Sequence, residues 1–155
     1  MAGRVVVPIH DEIGDLVAYA GRAIDGTDPK YKLPPGFHKS LVLYNLHRAT
    51  EFGNMAVLVE GFFDCLRLTQ VGVSSPVALM GCSMSAHQED ALCRLFQKVV
   101  IMLDGDEAGR GAAAEIAARL QKRMWVRVVT IPENRQPDEL SRDEVEILLK
   151  GILAV

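Results

Sequence analysis

Ala56-Val57-Leu58-Val59-Glu60-Gly61-Phe62-Phe63-Asp64 and, further on, Val99-Val100-Ile101-Met102-Leu103-Asp104-Gly105-Asp106 are the stretches that decide how this chain folds. In each, a short apolar run of the kind that forms a parallel strand buried on both faces leads directly into acids. Carboxylates at the carboxyl ends of such strands lie in the crevice where open α/β sheets bind their ligands. Several carboxylates converging there repel one another unless a cation neutralises them. An all-oxygen donor set suits Mg²⁺ or Mn²⁺. The pattern therefore points to a metal-dependent phosphoryl-transfer site.

The spacing within each cluster supports this. Glu60 stands where strand becomes helix, and Asp64 follows one helical turn later on the same face. In Asp104-Gly105-Asp106 the glycine lets the backbone bend sharply, so both aspartates can turn toward one ion or a pair. Two ions held about 3.5–4 Å apart can clamp the attacking and leaving oxygens of an in-line displacement. Glu60 can bind metal or take the nucleophile's proton. Asp and Gly are also ordinary turn residues, and Asp106 is placed to N-cap the next helix. It is their joint occurrence at two strand ends that favours a metal site.

With 155 residues, 49% hydrophobic and 24% charged, the chain has the composition of a globular domain with a sizeable core. No apolar stretch approaches the roughly 20 residues of a membrane helix, so no membrane partner is expected. The apolar part of the amino terminus is too short for a signal peptide. Cys65, Cys82 and Cys93 are odd in number and lack Cys-x-x-Cys pairing. Neither a disulfide framework nor a zinc ribbon is supported, and a reducing cytoplasm is the expected compartment. The net charge of −3 is unlike a dedicated nucleic-acid binder. Residues 1–50 carry six Lys/Arg against five Asp/Glu, a net of +1, which leaves −4 for residues 51–155. The acidic clusters account for much of that deficit, and bound cations would offset it.

Residues 1–52 and 53–155 differ in pattern. The first part offers a hairpin, Val5–Ile9 and Leu16–Ala20 around a turn-rich Asp11–Asp15, then a Pro/Gly-rich loop and a helix expected over about 41–52. From Ala56 onward strands and helices alternate, as in βαβ units. Strands are expected at 56–59, 77–80, 99–103 and 125–129. Helices are expected near 61–71, 85–96, 108–123 and 141–152, the last opened by the capping box Ser141 and Glu144. Cys82, following Gly81, is better explained as a small buried residue than as a nucleophile. His10, His38, His47 and His87 lack metal-ligand spacing.

At Glu60-Gly61-x-x-Asp64 and Asp104-Gly105-Asp106 the chain resembles a Toprim domain, the fold shared by bacterial primases, topoisomerases, certain nucleases and recombination proteins. Asp104-Gly105-Asp106-Glu107-Ala108-Gly109-Arg110 and Gln136-Pro137-Asp138-Glu139-Leu140 are similar to the primase version. So are Arg4–Ile9, Gly21-Arg22, Pro29-Lys30-Tyr31, Phe37-His38-Lys39 and Leu43-Tyr44. Gly81-Cys82 departs from the usual primase Gly-Thr, and Gln136 stands at a position that is often acidic. The resemblance implies an α/β Toprim (Rossmann-like), mostly parallel sheet flanked by helices, with a small α+β amino-terminal segment. It implies Glu60, Asp104 and Asp106 as catalytic residues and, with Asp64, as ligands of Mg²⁺ or Mn²⁺. It also implies that Arg22, Lys30, Lys39 and Arg110 contact nucleotide or nucleic-acid phosphates, for which cationic donors are suited. Tyr31 is expected to pack in the core.

The function so implied is a primase-like nucleotidyltransferase acting on nucleotides and single-stranded DNA. The zinc-binding and helicase-docking domains of primases fall outside the resemblance, so a helicase or a separate zinc-binding chain is an expected partner. Two alternatives stay open on the sequence: a Toprim nuclease using water as nucleophile, and a non-catalytic nucleic-acid-binding accessory domain.

Overall fold

The computed structural model describes residues 3–152. The amino-terminal part is a small antiparallel sheet of β1 (Arg4–His10), β2 (Leu16–Ala23) and β3 (Tyr31–Lys32), in that order. The expected hairpin is present, with Val7 opposite Ala20 and Pro8 opposite Tyr19. The β3 strand was not expected. It is two residues long and pairs Tyr31 with Arg22 and Lys32 with Gly21.

The helix expected over 41–52 is instead broken into a 3-10 turn (Lys39–Leu41), the four-residue α1 (Leu46–Ala49) and a second 3-10 turn (Thr50–Phe52). Asn45 stands at φ 65° before α1, which no continuous helix allows. Its side-chain amide donates to the Pro76 carbonyl at 2.9 Å, tying this irregular segment to the main sheet.

That sheet contains β4 (Met55–Val59), β5 (Pro76–Ala78), β6 (Lys98–Ile101) and β7 (Trp125–Val128) in the order β5-β4-β6-β7, all parallel. The connecting helices are α2 (Phe62–Gln70), α3 (Ala86–Leu95) and α4 (Glu107–Leu120), and α5 (Arg142–Leu149) follows β7. The central strands β4 and β6 are buried on both faces, as their uninterrupted apolar runs predict. One face packs Leu58, Val99 and Ile101 against Leu92, Ile116 and Leu120, with Leu43, Leu46 and Ala49 in the same cluster. The other packs Val57, Val100 and Met102 against Leu68, Val145 and Leu149. A third cluster joins the two sheets: Val7, Ile9, Ala18 and Ala20 close on Phe62 and Met80. Among the described residues no helix is long and apolar enough to cross a membrane.

Candidate active site

Strand order places both acidic clusters at one crevice. β4 and β6 are adjacent and parallel, so the residues that follow them, Glu60 and Asp104, emerge side by side. Asp104 N–H donates to Glu60 Oε1 at 3.3 Å. Asp104 Oδ2 accepts from Gln136 Nε2 at 2.8 Å, while its Oδ1 is buried without a partner. Burial and then the Asp106 charge raise the Asp104 carboxyl above its ordinary range. Burial and then Asp104 do the same to Glu60. Desolvation and mutual repulsion thus both disfavour the charged forms of Glu60 and Asp104.

The remaining acids are placed differently. Asp64 is 6% exposed, and burial raises its carboxyl to about 7. Both of its oxygens accept backbone N–H groups, from Gly61 at 2.8 Å and from Asp138 at 3.1 Å. It braces the crevice by joining the start of α2 to the 137–139 turn. Asp106 is exposed and caps α4, with Oδ1 accepting from Gly109 N–H at 2.7 Å. That leaves its second oxygen for an outside partner.

Two glycines make the Asp104–Asp106 turn possible. A Cβ on Gly105 would lie 2.1 Å from the Pro132 carbonyl oxygen, and one on Gly109 would lie 2.2 Å from that of Asp104. The turn is also stitched to the segment 132–136: Gly105 N–H donates to Arg135 O at 2.8 Å and Asn134 N–H to Gly105 O at 3.2 Å. The guanidinium of Arg110, in α4, donates to the Gly105 carbonyl and so also holds the turn.

Cations share the crevice with the acids. A cleft of about 380 Å³ is lined by the acids Glu60, Asp64, Asp104 and Asp138 together with Gln136 and the cations Arg22, Lys30 and Lys39. Asp106 and Arg110 lie outside its lining. The Arg22 guanidinium lies 4.0 Å from the centroid of the Phe63 ring and donates to the Tyr31 hydroxyl at 3.1 Å. Tyr31 is half-buried against Phe62, at 5.7 Å between ring centroids, so it packs while helping to position Arg22. Lys39 Nζ donates to the Met80 carbonyl at 2.9 Å, just where Met80 takes φ 62° and Gly81 N–H reaches Glu60 O at 3.2 Å. Gln88, 2% exposed, donates from its amide to the carbonyls of Lys39, Val42 and Leu79. These last bonds span distant segments and have no local trace beyond the Ser85-x-x-Gln88 capping box.

The profile of the family described as Toprim-like matches residues 57–141, more than half of the sequence. The chain belongs to the Toprim-like family. The amino-terminal part of this Toprim chain, residues 1–50, matches the N-terminal domain of the DNA primase catalytic core. A DNA primase of Clostridium acetobutylicum is 34% identical over 145 residues, which is 90% of this chain and 24% of that protein. The crystal structure of the Aquifex aeolicus primase zinc-binding and RNA polymerase domains superposes with a TM-score of 0.86 at 35% identity, over 96% of this chain and 40% of that one. A primase catalytic domain bound to single-stranded DNA gives 0.83 at 31% identity, over 96% of this chain and 51% of that one. The Toprim chain thus spans about a quarter of the length of the curated relatives it matches.

The donor set suits a hard divalent cation: oxygen ligands only, one of them buried and unpartnered at Asp104 Oδ1. Among the described residues no three acidic, histidine or cysteine side chains are closed around a single point. Glu60 and Asp106 each have an oxygen engaged by a backbone N–H.

Proposed function

We propose that this chain is the nucleotidyl-transfer core of a primase, joining nucleotides on a single-stranded template. The observation that carries it is the single cleft lined by both Glu60 and Asp104 and by Arg22, Lys30 and Lys39. A nucleotide spanning that cleft would meet cations along its phosphates and acids at the reacting phosphorus. Glu60, Asp104 and Asp106 would hold Mg²⁺ or Mn²⁺, which supplies charge neutralisation at the attacking and leaving oxygens. Glu60, with its proton affinity raised by burial, is suited to receive the proton of an attacking 3′-hydroxyl at its free carboxylate oxygen. Arg22, held by Phe63 and Tyr31, would orient the incoming phosphates, with Lys30 beside it. Asp64 and Gln136 would keep the acidic cluster in shape.

The test is incubation with Mn²⁺, labelled nucleotides and single-stranded DNA. Extension products that vanish in Asp104→Asn are expected. Shortened DNA would replace this proposal with a nuclease, and intact DNA with no product would leave a binding role.

A further inference from the structure

At the opposite end of the sheet, where β6 begins six residues before Asp104, the chain has a second feature built for an anionic aromatic ligand. Lys98 opens β6 and Trp125 opens β7, and the two are paired neighbours. Arg127 follows two residues on, so it shares their face of the sheet. Lys150, just past α5, completes an open hollow of about 330 Å³ around them. Trp125 is 46% exposed. Lys98, Arg127 and Lys150 are exposed as well, and among the described residues none of them enters an ion pair. Three cations thus gather on a chain whose net charge is −3.

β7 is an edge strand. Lysine or arginine alone would serve to keep such an edge from pairing with other chains. A half-exposed indole does the opposite, because it adds sticky apolar surface at the place most in need of protection. An aromatic face flanked by unpaired cations is, however, the combination that holds single strands: a base stacks on the ring while flanking phosphates meet the charges. An acidic peptide would use the cations and leave the indole without a role.

We propose that Trp125, Lys98, Arg127 and Lys150 form a second binding site for single-stranded nucleic acid, separate from the acidic cleft. It engages the strand by stacking and phosphate contact, without metal and without base-edge readout. The site stands apart from the proposed polymerase chemistry, and either can fail alone.

Trp125 is the sole tryptophan, so its fluorescence reports this site directly. The experiment titrates the whole chain with oligothymidylate of about 12 nucleotides, within the span a single-strand groove covers, in EDTA. Saturable quenching is expected, unchanged in Asp104→Asn. In the double variant Lys98→Ala/Arg127→Ala, affinity should fall on the order of tenfold and the salt slope should drop by about 1.4, roughly 0.7 for each lost phosphate contact. Circular dichroism of the double variant checks its fold, and Lys98→Gln with Arg127→Gln serves as a milder substitute. Unquenched fluorescence with bound strand, or affinity untouched by the charge variants, overturns the site. Equal quenching by polyglutamate makes it an acidic-peptide surface. Equal affinity for thymidine triphosphate makes it a mononucleotide pocket. Either result overturns the assignment to a strand.

Discussion

Asp104 carries two conflicting demands. Its Oδ2 is satisfied by Gln136, its Oδ1 is buried with no donor, and its charge faces those of Asp106 and Glu60. A carboxylate left unpaired in partial burial costs stability, whereas its neutral isostere does not. Asp104→Asn is therefore expected to raise the thermal midpoint of the metal-free protein by a few degrees and to abolish any further rise on adding Mg²⁺. Scanning calorimetry with and without Mg²⁺ measures both, and an Asn variant still stabilised by Mg²⁺ would remove Asp104 from the ligand set. Asp64 should behave in the opposite way. Both of its oxygens are engaged by backbone N–H groups, and an Asn side chain offers only one acceptor oxygen. Asp64→Asn should therefore destabilise the chain by about 1–3 kcal/mol, the cost of one buried donor left unmet, read from urea unfolding. The sequence groups Asp64 with Glu60 and Asp104 as a metal ligand; in the fold it lines the same cleft with both oxygens engaged by backbone N–H groups. The sequence does not show the Asp138 N–H arriving from far along the chain to claim it, because no local pattern encodes that contact.

At the scale of elements, the acidic turn holds its shape through the segment 132–136, and that segment is anchored to α5. The Arg135 carbonyl accepts from Gly105 N–H and its guanidinium donates to Glu144, which also closes the Ser141 capping box of α5. The Arg135 ion pair, with help from Ser141, holds the Glu144 carboxyl down at about 2, from an ordinary 4.5. A depressed carboxyl stabilises the fold fully above its unfolded value, and that contribution is lost as pH falls through the folded one. Acid unfolding should therefore draw on this pair between about pH 4.5 and 2. Glu144→Gln should flatten the stability–pH curve across that window and leave it parallel to wild type above pH 5. Chemical denaturation at stepped pH checks this, and a curve of unchanged shape would contradict it. Gly105→Ala tests the same turn sterically. Its methyl would strike the Pro132 carbonyl, so a loss of about 1–3 kcal/mol is expected. The Ser141–Glu144 box and the Asp-Gly-Asp turn are both legible from sequence, since each is a local pattern with a mechanism. The link between them through Arg135 is not, and the break in the helix expected over 41–52 escapes the sequence for a related reason. Asn45 leaves helical geometry to bond the Pro76 carbonyl, a tertiary contact that overrides an otherwise continuous apolar spacing.

At the scale of the whole molecule, the cleft exists only because two sheets are held in fixed relation. The acids come from the parallel sheet, whose strands were readable as apolar runs ending in carboxylates. Arg22 comes from β2 of the small antiparallel sheet and Lys30 from the loop joining β2 to β3. Its third strand was invisible in sequence because two residues in a Pro/Gly-rich stretch carry no periodicity. What joins the sheets is Phe62, 4% exposed and clustered with Val7, Ile9, Ala18, Ala20 and Met80. Its ring meets Tyr44 edge-on at 4.9 Å and Tyr31 at 5.7 Å. Sitting directly after Glu60-Gly61, it also fixes the entry of α2 beneath the acids. Phe62→Ala should cost about 3–5 kcal/mol if the cavity fails to collapse, but the more telling effect is spatial. Freed from this contact, β1–β3 should open locally while the parallel sheet, with its own two clusters, stays protected. Hydrogen exchange should then accelerate at Val7, Ile9 and Ala20 and remain slow at Leu58 and Val100. Uniform acceleration across both sheets would instead make the molecule one cooperative unit, with Phe62 an ordinary member of a shared core.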